Sequence, residues 1–386
     1  MKKLLALFLL FFILYGCGVT DSENGNEAGY YPTQANENAT DDGRQLTFET
    51  VRIAFIHVGS SDDRGYTYRQ HRGTLDMMSY HNISDRQVLN FFNIVPGHAV
   101  DLAVSQSIEW GADLIFGTSF AFEPHMISAA QDNPDVLFFH ATGNQALASG
   151  LPNMHNYFGN MAQARFLSGI AAGLRTETNT LGFVAAHPFS EVISGFTAFY
   201  LGALSVNPDV LMYVIYTNAW NNPTLEMSAA QTLINMGADV IGQHVDSTAT
   251  QLVAEANGVW GVGYNNDMNF DAPTAVLTSP MFDWSVYLIY AVDSAVNGRS
   301  IYPDFLAGMA EGMVFLGPLN PYTIAHGTEE AINEAKALIL AGKNIFTGPV
   351  YDVNGQRILD YGEEFIEPIA APSWAYIIQG ITVKAD

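Results

Sequence analysis

The chain has 386 residues, 48% of them apolar, a single cysteine and a formal net charge of −24 at pH 7. Its length supports cores for two domains under a rough prior of about 150 residues each, and one cysteine excludes an internal disulfide as a staple. Fifteen scattered Lys and Arg on so acidic a chain argue against nucleic acid or anionic lipid as partners, because phosphate binding needs clustered cations.

The N-terminus reads Lys2-Lys3, an apolar run from Leu4 to Leu14, then Tyr15-Gly16-Cys17. A basic start with about ten apolar residues is a secretory leader pattern, too short for a membrane span of about 20 residues. Ending in Gly-Cys, it is expected to be a lipoprotein leader, cut before Cys17 so that a lipidated cysteine anchors the protein outside the cytoplasm. Gly18 to about Leu46 is polar, rich in Asn, Glu, Gly, Thr and Asp, and is expected to be a flexible spacer.

Ordered structure is expected from Val51, where an apolar strand runs to Ile56 and ends in the turn formers Gly59 to Asp63. The pattern then predicts a helix around Tyr68–Tyr80, strand Val88–Phe92, helix Val100–Trp110, strand Leu114–Phe116, helix Pro124–Gln131 and strand Val136–His140. The same alternation restarts with strand Leu181–Ala185, helix Val192–Val206, strand Leu211–Tyr216, helix Leu225–Met236 and strand Val240–Gly242. Short strands alternating with helices imply right-handed crossovers and mostly parallel sheets, an α/β fold. Phrases recur as well. Gln106 to Ile115 and Gln231 to Ile241 each close a helix with glycine before a strand, and Asn-Pro-Asp-Val occurs at 133–136 and 207–210. Two similar lobes are the reading that follows. Later segments predict a helix over Asp283–Asn297, a strand at Met313–Phe315, a helix over Glu329–Leu340 and a two-residue hairpin turn in Val353-Asn354-Gly355-Gln356.

Ligands of open α/β sheets sit beyond the carboxyl ends of the strands. Those loops carry Asp62 to Tyr68, Val95 to Gly97 and Thr118 to Phe122 in the first half, and His187 to Glu191, Asn218 to Asn222, Gln243 to Ser247 and Tyr264 to Asp267 in the second. Aromatic rings alternate there with carboxylates, amides and hydroxyls, which suits a planar, polar, largely uncharged ligand stacked on its faces and hydrogen-bonded at its edges.

At these loops the chain resembles the basic membrane protein family of substrate-binding lipoproteins, which serve ABC transporters and include purine nucleoside receptors. The resemblance spans about Val51 to Ile381 and rests on Asp63-Arg64-Gly65-Tyr66-Thr67-Tyr68, Phe139-His140-Ala141-Thr142-Gly143 and Gln243-His244-Val245-Asp246-Ser247. Pro188 to Gly195, Leu277-Thr278-Ser279-Pro280 and Gly317 to Pro321 add to it. It implies a type I periplasmic-binding-protein fold, with two doubly wound parallel-sheet lobes joined by a three-crossing hinge. The expected division is leader 1–16, linker 17–48, a first lobe of 49–165 with about 278–310, and a second of 166–277 with about 311–386.

The resemblance further implies an ABC permease partner, a purine ligand and a monomer, with no cofactor, no metal and no catalysis. It places Tyr66 as the stacking ring, with Phe120, Phe189 and Trp220 as further aromatic contacts. Asp63, Glu191 and Asp246 become acceptors for ring or exocyclic nitrogens, supported by Thr67, Tyr68 and Ser119. The nucleoside-binding branch carries an acid and a lysine that here fall near Asn265 and near Phe282, where neither charge is present, so the resemblance favours a free, adenine-like nucleobase over a nucleoside. Asp267 stands as a contact for a sugar or an amine.

A hydrolase built on Asp62, Asp63, Asp246 and Asp267 is the rival from another class. No His-Glu-x-x-His helix, Gly-x-Ser-x-Gly elbow or phosphate-binding glycine loop accompanies those acids, and His57, His140 and His244 at strand ends are expected to be structural. A receptor that senses without transport needs the same cleft and stays open.

Overall fold

The computed structural model describes residues 46–367 and 372–384; the leader, Cys17 and nearly all of the linker lie outside them. In chain order the first half runs β1 (Ile53–Ile56), α1 (Tyr66–His81), β2 (Val88–Phe91), α2 (His98–Trp110), β3 (Leu114–Gly117), α3 (Glu123–Asp132), β4 (Leu137–Ala141), a short α4 (Ala146–Ser149) and β5 (Met154–Gly159). The second half runs α5 (Ala162–Arg175), β6 (Thr180–Ala185), α6 (Ser190–Leu204), β7 (Leu211–Tyr216), α7 (Pro223–Asn235), β8 (Val240–His244), α8 (Ala249–Ala256), β9 (Trp260–Val262) and β10 (Val276–Thr278). After these come β11 (Pro280–Phe282), α9 (Ser285–Val296), β12 (Asp304–Ala307), β13 (Val314–Leu316), α10 (Thr328–Leu340), β14 (Val350–Tyr351), β15 (Arg357–Leu359) and β16 (Ile381–Lys384).

Two six-stranded parallel sheets result, ordered β12-β5-β4-β3-β1-β2 and β10-β9-β8-β6-β7-β16. Each contains the same winding, second-first-third-fourth-fifth, and each is completed by a strand from late in the chain. The repeated phrases in the sequence therefore mark equivalent helix-to-strand passages in two similarly wound lobes. Strands such as β1, β3 and β8 are buried along their whole length, as sheets covered by helices on both faces require.

The chain passes between the sheets three times: after β5, back after β10, and again after β12. Two of these crossings pair with each other, β11 antiparallel to β13. Aromatic packing fills the junction, where Phe282 stacks on Trp284 at 4.3 Å and both approach Phe158. Trp284 and Trp374 are fully buried core residues.

The turn expected at Val353–Gln356 is displaced by one residue. Gly355 donates to the Asp352 carbonyl, and the Asp352 carboxylate accepts from the amides of Asn354 and Gln356. Only Gly355 takes the left-handed conformation, at φ +80°, so Asn354-Gly355 does not form the primed turn that needs two such residues.

Candidate functional site

In a sheet wound second-first-third, the loops after the first and third strands diverge to opposite faces and leave a crevice. Both lobes open that crevice toward each other. From the first come Val58 after β1, Tyr66 opening α1, Thr118, Ser119 and Phe120 after β3, Thr142 after β4 and Phe158 in β5; from the second come Glu191 in the first turn of α6, Trp220 after β7, His244 and Asp246 around the end of β8, and Tyr264 after β9. The space they line is about 420 Å³ with the solvent at its mouth included.

The lobes are closed over it. Gly65 lies so near the Asp246 carbonyl that a Cβ there would sit 2.1 Å from the oxygen, which only glycine avoids. Phe120 stacks on Phe189 across the gap at 4.9 Å, and Arg64 pairs with Asp271 of the opposite lobe at 2.9 Å.

The cavity's charged groups are acidic. Burial alone raises the Glu191 carboxyl to a pKa of about 8. Asp246 is pushed well above the carboxylate range, first by burial and then by Asp63, Glu226 and Glu191 nearby, although the Tyr66 amide donates to it. Neither carboxyl forms an ion pair among the described residues.

The loop bearing Asp246 is held by its own neighbours. Gln243 donates to the carbonyls of Val245 and Ser247 at 3.0 and 2.8 Å, and Gln251 donates to the Gln243 side chain at 2.8 Å. Ser247 donates to Glu226, whose carboxylate also accepts from the Asn222 amide at 2.9 Å. In the phrase Gln243-His244-Val245-Asp246-Ser247, Gln243 and Ser247 thus fold the loop while His244 and Asp246 line the cavity.

Of the residues singled out in the sequence, Tyr66, Ser119, Phe120, Glu191, Trp220 and Asp246 line the cavity, and Phe189 packs against two of them, Phe120 and Trp220. The other five lie outside the lining. The Asp63 carboxylate accepts from the amides of Gly65, Thr67 and Tyr68 at 2.8–3.1 Å, which satisfies donors at the start of α1. The Thr67 hydroxyl accepts from the Gly59 amide at 3.1 Å, and Asp267 accepts from the Asn269 amide at 3.1 Å. Tyr68 is half-buried on α1 outside the lining, and Asn265 is fully buried behind it.

A family model for PnrA-like ABC transporter substrate-binding proteins, Bmp, matches residues 50–340. The chain belongs to the Bmp family. A purine-binding protein of Brucella abortus (strain 2308) is 31% identical over 318 residues, covering 82% of this chain and 89% of that protein. A Haloferax volcanii protein provisionally named an ABC transporter glucose-binding protein is 29% identical over 340 residues, covering 88% and 85%. An ABC transporter solute-binding protein from Aeropyrum pernix K1 shares the fold, with a TM-score of 0.62 at 17% identity over 80% of this chain and 94% of that one. The fold is the type I periplasmic-binding-protein fold.

Bmp proteins are solute-binding components rather than enzymes. Among the described residues no group of three or more His, Cys, Asp or Glu is placed to hold a metal ion. His57 and His140 are buried and bonded inside the first lobe, to Asn90 and Thr118 and to the Ser119 carbonyl, and burial lowers both pKa values. The Bmp cavity also uses Val58, Thr118, Thr142, Phe158 and Tyr264, which the loop reading did not rank, and His244, which is expected from the sequence to be structural and instead lines the cavity at the end of β8. Thr118, His244 and Tyr264 lie in the loops named from the sequence, and Thr142 lies in the phrase Phe139 to Gly143. Thr142, just after β4, adopts φ +73° and keeps a buried hydroxyl with no partner among the described residues.

Proposed function

We propose that this Bmp protein is the extracytoplasmic, lipid-anchored receptor of an ABC importer, monomeric, and that it carries a purine nucleobase, adenine-like, between its lobes. One observation carries the reading: two carboxyls, Glu191 and Asp246, face a cavity walled by Tyr66, Phe120, Trp220 and Tyr264. Rings of that kind stack on a flat heterocycle, and the carboxyls match its ring N–H and exocyclic amine. An anionic ligand would meet carboxyls and no facing lysine. A free base is favoured over a nucleoside because the two positions where ribose partners would fall hold Asn265, buried outside the lining, and Phe282, packed on Trp284. The name of the Brucella relative points the same way.

A sugar is the second reading, favoured by the name of the Haloferax relative and by the fact that aromatic faces with carboxyls also suit a pyranose. Mass analysis of small molecules released on denaturing the purified protein separates the two. Recovery of a purine base supports the proposal, and recovery of a hexose replaces it.

A further inference from the structure

Arg165 on α5 is fully buried beneath the second lobe's wall of the cavity. Its guanidinium lies 3.8 Å from the centroid of Tyr264, and its Nη1 donates to the Gln243 carbonyl at 2.7 Å. Its Nε and Nη2 are buried without a hydrogen-bond partner among the described residues, as is Nδ1 of His244. The Nε and Nδ1 atoms converge over Gly195 of α6, where a Cβ would lie 3.7 Å from Arg165 Nε and 3.3 Å from His244 Nδ1, the other near atom being His244 Cε1. An arginine has only donors. An N–H at Nδ1 would therefore find no acceptor in Arg165 and would lie in the field of its charge, the costly arrangement for a buried polar group.

We infer that Arg165 fixes His244 as the neutral imidazole protonated at Nε2, so that His244 presents an N–H donor to the cavity and selects ligands carrying a lone-pair acceptor atom there. Arg165 is then a positioning residue, and His244 determines specificity. The other groups against the imidazole agree. Tyr264 packs edge-on at 4.6 Å and Trp220 lies at 6.2 Å, and among the described residues no carboxylate pairs with His244 to hold an imidazolium. Burial and the Arg165 charge hold His244 well below the ordinary histidine pKa. A purine base combines the required acceptor, a bare ring nitrogen, with the N–H groups that Glu191 and Asp246 would take; this ligand arm alone rests on the proposed function.

The test begins without ligand. Long-range ¹H–¹⁵N spectra of the ¹⁵N-histidine-labelled protein, assigned with His244→Phe, should show at pH 7 an Nε2–H, Nδ1-bare imidazole that Arg165→Met shifts toward a tautomer mixture or an imidazolium. An Nδ1–H or charged His244 in the wild type overturns the inference, even if Arg165→Met does not fold. The second arm titrates adenine and its 1-, 3- and 7-deaza analogues. One deaza position should weaken binding about tenfold in the wild type and have no effect in His244→Phe; equal penalties in both proteins overturn the specificity role. If adenine does not bind the wild type at all, the purine reading fails while the spectra still decide the tautomer.

Discussion

Glu191 places a carboxyl with a pKa of about 8 in a chain whose unfolded form titrates near 4.5 at that residue. Between those values the native state keeps a proton that the unfolded state has released. Stability therefore falls as pH rises from about 4.5 to 8, and the full contribution is present only below that window. Glu191→Gln should flatten this dependence: in urea unfolding, wild type should lose ground to the variant as pH rises from 5 to 8, whereas parallel pH profiles would contradict the buried-carboxyl assignment. The rings make a separate prediction. Trp220→Ala and Tyr66→Ala should each weaken adenine binding by about 1–3 kcal/mol in calorimetry without changing the fold, and unchanged affinity in both would remove them from the stacking role. At this scale the sequence was legible in part. Asp63, Glu191 and Asp246 carry the same signal, an acid in a loop beyond a strand, and nothing local distinguishes the one consumed by three helix-start amides from the two left facing the cavity. Arg165 gave no signal, because an arginine in a helix ordinarily points to solvent.

The helices α5 and α6 cross at a distance that only glycine allows. A Cβ on Gly169 would lie 1.9 Å from the Phe199 carbonyl oxygen, and one on Gly202 would lie 1.9 Å from that of Phe166. Gly202→Ala should therefore destabilise by about 1–3 kcal/mol or more through overpacking, lowering Tm by several degrees in calorimetric scans; an unchanged Tm would mean the helices separate at no cost. The crossing also explains what the sequence hid. The run Ala162 to Arg175 is buried on nearly every face, Arg165 and Ser168 included, and its glycines at 169 and 173 lower its helix propensity, so its composition does not announce a core helix. Strand β5 reads Met-His-Asn-Tyr-Phe-Gly, with polar residues in a fully buried strand because His155 and Asn156 bond to the segment entering β12. By contrast β1, β3 and β6 announced themselves as apolar runs bounded by turn formers, and α2 and α7 as periodic segments closed by Gly111 and Gly237.

Across the whole molecule, binding and closure are one event, because the cavity is complete only when both lobes contribute. Closure has an ion pair of its own outside the cavity, Arg64 with Asp271, half-exposed on the arginine side. Exposed pairs contribute roughly 0.2–1 kcal/mol, so Asp271→Asn should speed ligand release and weaken affinity by up to about fivefold, an effect that shrinks in high salt; a variant that releases ligand at the wild-type rate at low salt would show that the pair does not resist opening. The two-lobed architecture was legible from repeated phrases and alternation, whereas the contact of Gly65 with Asp246 joins residues 181 positions apart and follows only from the closed lobes. The central claim, a nucleobase between the lobes, meets its most direct test in calorimetric titration of the folded protein with adenine, adenosine and glucose. The account predicts one-to-one binding of adenine, tighter than adenosine and with no response to glucose; a preference for adenosine or glucose would contradict it.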